Sequence, residues 1–119
     1  MRLKNVLLVV ADLEKSKAFY KELLGMEVVR DFDTNVILSG GLVLQKEQEW
    51  ETLIGQKADY NSNTQELYFV CPDIEAFQAK LDGSNISITY LHRLMVYEWG
   101  QKAIRFYDPD GHLIEVGET

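Results

Sequence analysis

Glu66 and Glu115 are the residues of this chain whose type and setting point most directly to chemistry. Each interrupts an apolar, strand-like run: QELYFVC over 65–71 and HLIEV over 112–116. Side chains on a strand alternate between its faces. Leu67, Phe69 and Cys71 therefore oppose Glu66, Tyr68 and Val70, and Ile114 and Val116 oppose Leu113 and Glu115. The apolar faces are expected to pack on helices, which turns both glutamates the other way. Polar groups seldom interrupt such strands without a partner. Two glutamates facing one cavity repel when both ionise, so a cation, a proton or a nearby Arg or Lys must compensate. A carboxyl so placed can move a proton next to a substrate carbonyl, which makes Glu66 and Glu115 the candidate catalytic pair. The structural alternative is that both are solvated, or paired with Arg105 or Lys102.

Two amides join them. In the run 3–11, Val6, Leu8 and Val10 form one face, and Asn5 lies on the other with Leu3, Leu7 and Val9. Gln45 is added by the internal repeat described below. The candidate ligand-binding set is Asn5, Gln45, Tyr68, Trp50, His92, Trp99 and Arg105. His92 is expected at a strand end near the cavity mouth, where an imidazole can serve as acid, base or ligand. Trp50 and Trp99, with Tyr60, Tyr90 and Tyr97, sit in or beside long connections. Aromatic rings there can stack on a flat ligand, or simply pack the loops or a dimer contact. His112 has the opposite strand parity to Glu115 and is assigned to the turn. Cys71 ends an apolar strand and reads as a small core residue.

The elements that must position these residues follow from pattern. Residues 3–11 read as a buried strand. Asp12 caps a helix over about 13–24, and Gly25 stops it. Residues 26–32, 34–39 and 41–47 read as strands, with a tight turn at Gly40-Gly41. Residues 48–64 form a polar connection in which Trp50, Leu53 and Ile54 make one helical turn. The run Glu47 to Glu51 reads as a solvated edge. Residues 65–71 read as a strand, Asp73 opens a helix over about 74–82, and Gly83 ends it. Strands follow at about 86–92, 102–108 and 112–117, the last two joined by Asp108-Pro109-Asp110-Gly111.

The second half repeats the first. A shift of 61 places Asp12 on Asp73 and Asn5 on Glu66; a shift of 70 places Gly41 on Gly111 and Gln45 on Glu115. The expected architecture is α+β: one domain over 1–119, made of two tandem βαβββ units (about 1–48 and 64–119) whose curved half-sheets enclose a cavity. Duplicated units would bring Asn5, Gln45, Glu66 and Glu115 to that cavity.

The opening Asn5-Val-Leu-Leu-Val-Val-Ala-Asp12-Leu-Glu-Lys-Ser16-Lys-Ala-Phe19-Tyr20 and the closing Phe106-Tyr107-Asp108-Pro109-Asp110-Gly111-His112-Leu-Ile-Glu115 resemble the vicinal oxygen chelate superfamily. That group holds glyoxalase I, bleomycin-resistance proteins, epimerases and extradiol dioxygenases. The resemblance covers nearly the whole chain. It implies a glyoxalase/bleomycin-resistance fold and, in metal-dependent members, one ligand from each of four strands, usually a mixture of His and Glu. The matching positions are Asn5, Gln45, Glu66 and Glu115. Only Glu115 follows the common pattern; Asn5 and Glu66 stand where His is frequent, and Gln45 where Glu is. The resemblance thus implies a divalent metal, among Mg, Mn, Ni and Zn. Two carboxylates with two amide oxygens suit Mg²⁺, Mn²⁺ or Ca²⁺ better than zinc.

Composition narrows the partners. The net charge is 12 − 19 = −7, with no basic stripe, which disfavours nucleic acid and anionic membrane surfaces. No apolar run reaches membrane-spanning length. One cysteine precludes an internal disulfide and fits a cytoplasmic protein. Three functions remain open: a metal-free cavity that binds a small organic molecule, a metal-dependent lyase, isomerase or epimerase working through an enediolate-like state, and a ligand-free structural dimer. A homodimer is expected in each case, because curved half-sheets leave edge strands to cover.

Overall fold

The computed structural model describes residues 1–60 and 63–119; residues 61 and 62, inside the polar connection, lie outside the described residues. The chain divides into two compact units, Met1–Asp59 and Tyr60–Thr119. Both have the expected βαβββ order.

The first unit runs β1 (Val6–Val10), α1 (Leu13–Leu24), β2 (Val28–Asp31), β3 (Asn35–Leu38), β4 (Leu42–Lys46) and α2 (Glu47–Ile54). Its sheet has the order β1-β4-β3-β2, with β1 parallel to β4 and the other pairs antiparallel. Helix α1 starts where the sequence places it. Asp12 is extended, and its Oδ1 accepts from the Lys15 amide at 3.1 Å. It ends at Gly25, whose φ of 67° is the left-handed geometry that glycine adopts at least cost. Leu13, Phe19, Tyr20 and Leu23 of α1 and Leu8, Val10, Val36, Leu38, Leu42 and Leu44 of the sheet are buried, so this is the packed face. Val6, expected with them, remains 46% exposed.

Helix α2 differs from expectation. It has two turns rather than one, and it begins at Glu47, so Glu47 to Glu51 form a helix rather than a strand edge. Glu47 and Glu49 lie in its first turn, where the helix dipole favours negative charge. Leu53 and Ile54 point outward, 75% and 46% exposed.

The second unit runs β5 (Leu67–Cys71), α3 (Ile74–Asp82), β6 (Thr89–Val96), β7 (Lys102–Tyr107) and β8 (Leu113–Glu118), in the sheet order β5-β8-β7-β6. Asp73 caps α3 through the Ala76 amide at 3.0 Å, as Asp12 caps α1. Ile74, Leu81, Ile104, Phe106, Ile114 and Val116 are buried, and Phe77 meets Phe106 with ring centroids 6.2 Å apart. Strand β6 begins and ends later than 86–92. The Ser84 hydroxyl accepts from the Ile86 amide and holds a turn there, while Tyr97 N bonding to Gln101 O closes the hairpin beyond Val96. His92 therefore lies inside β6, not at its end.

Register also corrects the repeat arithmetic. Val6 pairs with Leu42 and Leu67 with Ile114, so β4 and β8 correspond by 114 − 42 = 72, not 70, when β1 and β5 correspond by 61. The cause is the turn. Three residues, 39–41, join β3 to β4, whereas five, 108–112, join β7 to β8. By register the mate of Glu115 is Val43, and the mate of Gln45 is Gly117.

Candidate functional site

A charged cluster forms on the face of the second sheet that points away from α3. Arg105 on β7 is its centre. Its Nε donates to Glu66 Oε1 at 3.3 Å and its Nη2 to Glu115 Oε1 at 2.9 Å. Its Nη1 donates to the Tyr97 hydroxyl and approaches His92 Nε2 at 3.4 Å. Strand register explains the meeting: Arg105 is opposite both Glu115 on β8 and His92 on β6, and Glu66 immediately precedes β5. A bulge between Tyr90 and His92 makes this possible. Tyr90 points to the helix side, where its hydroxyl meets Gln78 and Asp82, and the irregularity returns His92 to the Arg105 face.

The carboxyls differ in state. Glu115 is 7% exposed, and burial pushes its pKa up, with the hydrogen bond to Glu66 adding to the rise. Glu66 is shifted down, first by the hydrogen bond from Glu115 and then by Arg105. The two shifts run in opposite directions, so Glu115 holds a proton more readily than an ordinary glutamate and Glu66 less readily. A pair whose environments separate its pKa values is suited to giving and taking protons.

His92 has a defined tautomer. Its Nδ1 lies 2.9 Å from the Arg93 carbonyl, which can only accept, so Nδ1 carries the hydrogen. Its Nε2 is left as an acceptor for Arg105.

An aromatic ledge adjoins the cluster. Tyr97 and Trp99 are stacked, with centroids 4.7 Å apart and planes 4° from parallel. Trp99 is 72% exposed, and its Nε1 donates to Gln101 Oε1 at 3.0 Å. Gln101 Nε2 donates in turn to the Tyr68 hydroxyl at 3.4 Å. Tyr68 lies across Gly117 of β8; a Cβ there would stand 3.1 Å from the ring carbon Cζ and collide with the hydroxyl. Tyr97, Gln101 and Gly117 complete a network that parity alone did not supply. Tyr97 fell beyond the expected end of β6, and its signal was the apolar run continuing through Leu94, Met95 and Val96.

The remaining expected residues lie in the first unit. Asn5 precedes β1, half-buried, with its Oδ1 at 4.0 Å from where a Cβ on Gly41 would be. Gln45, on β4, is level with Val9 and Asn35. Extending the register, Asn5 is level with Gly41, so Gln45 is four residues further along, roughly 13 Å. Trp50 is half-buried on α2. In the turn before β8, Asp108, Asp110 and His112 place ligating atoms within 4.8 Å of one another. Asp108 Oδ1 there accepts from the Asp110 and His112 amides, each at 2.9 Å, which is turn geometry.

Comparison with known proteins places this architecture. A family model described as a glyoxalase-like domain matches residues 3–119. The chain belongs to the glyoxalase-like domain family. With that family comes the vicinal oxygen chelate superfamily that the sequence resembles. A protein called Glyoxalase 1 from Caenorhabditis briggsae is 33% identical over 117 residues, which is 92% of this chain and 40% of that one. The glyoxalase-like chain thus spans two fifths of that relative's length. A protein of unknown function from Agrobacterium tumefaciens str. C58 is 34% identical, with a TM-score of 0.87 over 100% of this chain and 94% of its own. A lactoylglutathione lyase from Agrobacterium tumefaciens shares the fold at 23% identity and a TM-score of 0.69, over 96% of this chain and 90% of its own.

The superfamily implies a divalent metal, and the donor set tests it. In this glyoxalase-like chain both carboxylates at the matching positions are already taken by Arg105, whose positive charge stands where an ion would need to approach. The other two matching positions are amides set four residues apart along their sheet. This donor set does not fit a resident transition metal.

Proposed function

We propose that this glyoxalase-like chain binds a small organic molecule over the Glu66–Arg105–Glu115 face, with the Tyr97–Trp99 ledge stacking on it, and that it does so without a metal. The observation that carries the reading is Arg105 bonded to two carboxyls, Glu66 and Glu115, beside an exposed, stacked Trp99. Four of the five guanidinium N–H groups are engaged within the protein, so Arg105 orients the carboxyls rather than gripping a ligand anion. Glu115, shifted toward the protonated form, is the better hydrogen donor of the pair, Glu66 is the better acceptor, and Trp99 presents a flat apolar surface. A planar molecule with hydrogen-bonding edges suits that combination. The two repeats are proposed to belong to one domain. The setting is proposed to be the cytoplasm. Among the described residues no helix is long and apolar enough to cross a membrane.

A thermal-shift screen of small organic molecules tests this. Hits are expected to lose most of their shift in both Glu115→Gln and Trp99→Ala. Hits that are indifferent to both substitutions would move the binding site elsewhere.

A second reading rests on the names of two relatives, Glyoxalase 1 and lactoylglutathione lyase. Here Glu115 and Glu66 would transfer a proton at the carbon next to a carbonyl, with Glu66 as base and Glu115 as acid. Turnover of a glutathione hemithioacetal to S-lactoylglutathione, lost in Glu66→Gln, is the expected result on this reading.

A further inference from the structure

The acceptors around the Arg105 guanidinium are the kinds of atom that ligate divalent cations. They are a carboxylate oxygen of Glu66 at 3.3 Å, a carboxylate oxygen of Glu115 at 2.9 Å, the imidazole Nε2 of His92 at 3.4 Å, and the phenol oxygen of Tyr97. They come from four places in the second unit: ahead of β5, from β8, from β6, and from the turn after β6. His92 turns Nδ1 to the Arg93 carbonyl, which can only accept, and Nε2 to the Arg105 guanidinium, which can only donate. We infer that Arg105 is a built-in cation filling this shell, and that removing its side chain opens a divalent-metal site made of Glu66, Glu115 and His92, with Tyr97 beside it.

The charge balance explains the arrangement. Two partly buried carboxyls on one face need a positive partner. A guanidinium supplies that charge permanently and in a fixed plane. A divalent ion would supply the same compensation, but it cannot enter while the guanidinium lies between the carboxylates. Truncating Arg105 leaves the acceptors aimed at a vacated space and leaves the carboxylates without a counter-charge. Two carboxylates and one imidazole suit Mn²⁺ and Zn²⁺. A metal ion is narrower than a guanidinium, so the donors must draw inward. Glu66 has the freedom to do so, being 31% exposed at its side chain.

The test titrates chelator-treated, dialysed protein with MnCl₂ and with ZnCl₂ by calorimetry near neutral pH. Wild type, Glu115→Gln, Arg105→Ala, Arg105→Lys and Arg105→Ala/Glu115→Gln are compared, with circular dichroism confirming the fold of each. Arg105→Ala is expected to bind one equivalent about 10–100-fold more tightly than wild type. Arg105→Lys, which keeps the positive charge, is expected to show no such gain, and the double variant to lose it. If Arg105→Ala is unfolded in buffer, added metal is expected to restore its fold; Arg105→Gln, closer in shape, repeats the comparison. Two results overturn the inference: wild type binding one equivalent as tightly as Arg105→Ala, with that binding lost in Glu115→Gln, or neither Arg105→Ala nor Arg105→Gln gaining affinity or metal-dependent stability. Any ion held by the Asp108, Asp110 and His112 turn would appear equally in all variants and cancel in the comparison. No organic ligand enters the readout, so this inference can fail while the proposed binding function stands.

Discussion

Parity along two strands placed Glu66, Tyr68 and Glu115 on one side of their strands, and there Arg105 joins the two glutamates while Tyr68 bonds to Gln101. Parity could not show that His92 joins this face, because that depends on the bulge in β6. The protonation of Glu115 gives a prediction with a definite sign. An unfolded glutamate titrates near its ordinary value of 4.5, whereas burial lets folded Glu115 hold its proton to higher pH. Between those values the folded state binds more protons than the unfolded one, so this residue's contribution to stability falls as pH rises. Glu115→Gln cannot ionise and should remove that slope. Its melting temperature relative to wild type is expected to climb as pH is raised from about 4 to 8; a constant difference would mean that Glu115 is ionised throughout. Asp82 has the opposite sign. Arg93 binds it at 2.6 and 2.5 Å and lowers its pKa, so its contribution is present above the unfolded carboxylate range and is lost as pH falls through the folded value. Asp82→Asn should therefore lower the melting temperature at neutral pH and make no difference in strong acid.

At the scale of elements, the most legible signals were the caps. Asp12 and Asp73 each start a helix because a carboxylate at that position accepts an amide hydrogen the first turn cannot otherwise bond. Replacing either by alanine should cost about 1 kcal/mol, read from urea midpoints at unchanged slope. A loss below about 0.3 kcal/mol at both would mean that the caps do not set these helices. Helix α2 was less legible because its apolar residues Leu53 and Ile54 face outward, so no buried stripe announced it. The two-residue difference between the repeats was hidden for a related reason. A turn of three residues and one of five preserve the same strand parity, so alternation cannot distinguish offsets of 70 and 72. Gly117 shows what register adds. It lies under Tyr68, and Gly117→Ala should displace that ring, break its bond to Gln101 and cost about 1–3 kcal/mol. Near-wild-type stability with Tyr68 still bonded to Gln101 would show that the sheet yields there instead.

At the scale of the whole molecule, the strand order leaves β1 and β2 as edges of one sheet and β5 and β6 as edges of the other. Edges expose unpaired backbone groups and are ordinarily covered or guarded by charge. Here β1 carries Val6 and Leu7 at 46% and 42% exposure, and β5 carries Tyr68 and Val70 at 49% and 57%. These are large side chains in nearby positions on edge strands, and no lysine or proline interrupts either strand. Surface of that kind favours contact with a second copy of the chain, since the copy presents the same strands and the same apolar residues. We therefore expect a homodimer. Sedimentation equilibrium at micromolar concentration should give twice the chain mass of 13.7 kDa. Val70→Lys and Leu7→Lys should each shift the population toward monomer while circular dichroism stays unchanged, because neither side chain belongs to the buried core. A wild-type protein that sediments only as monomer, or variants that remain dimeric, would place these apolar edges under some other cover.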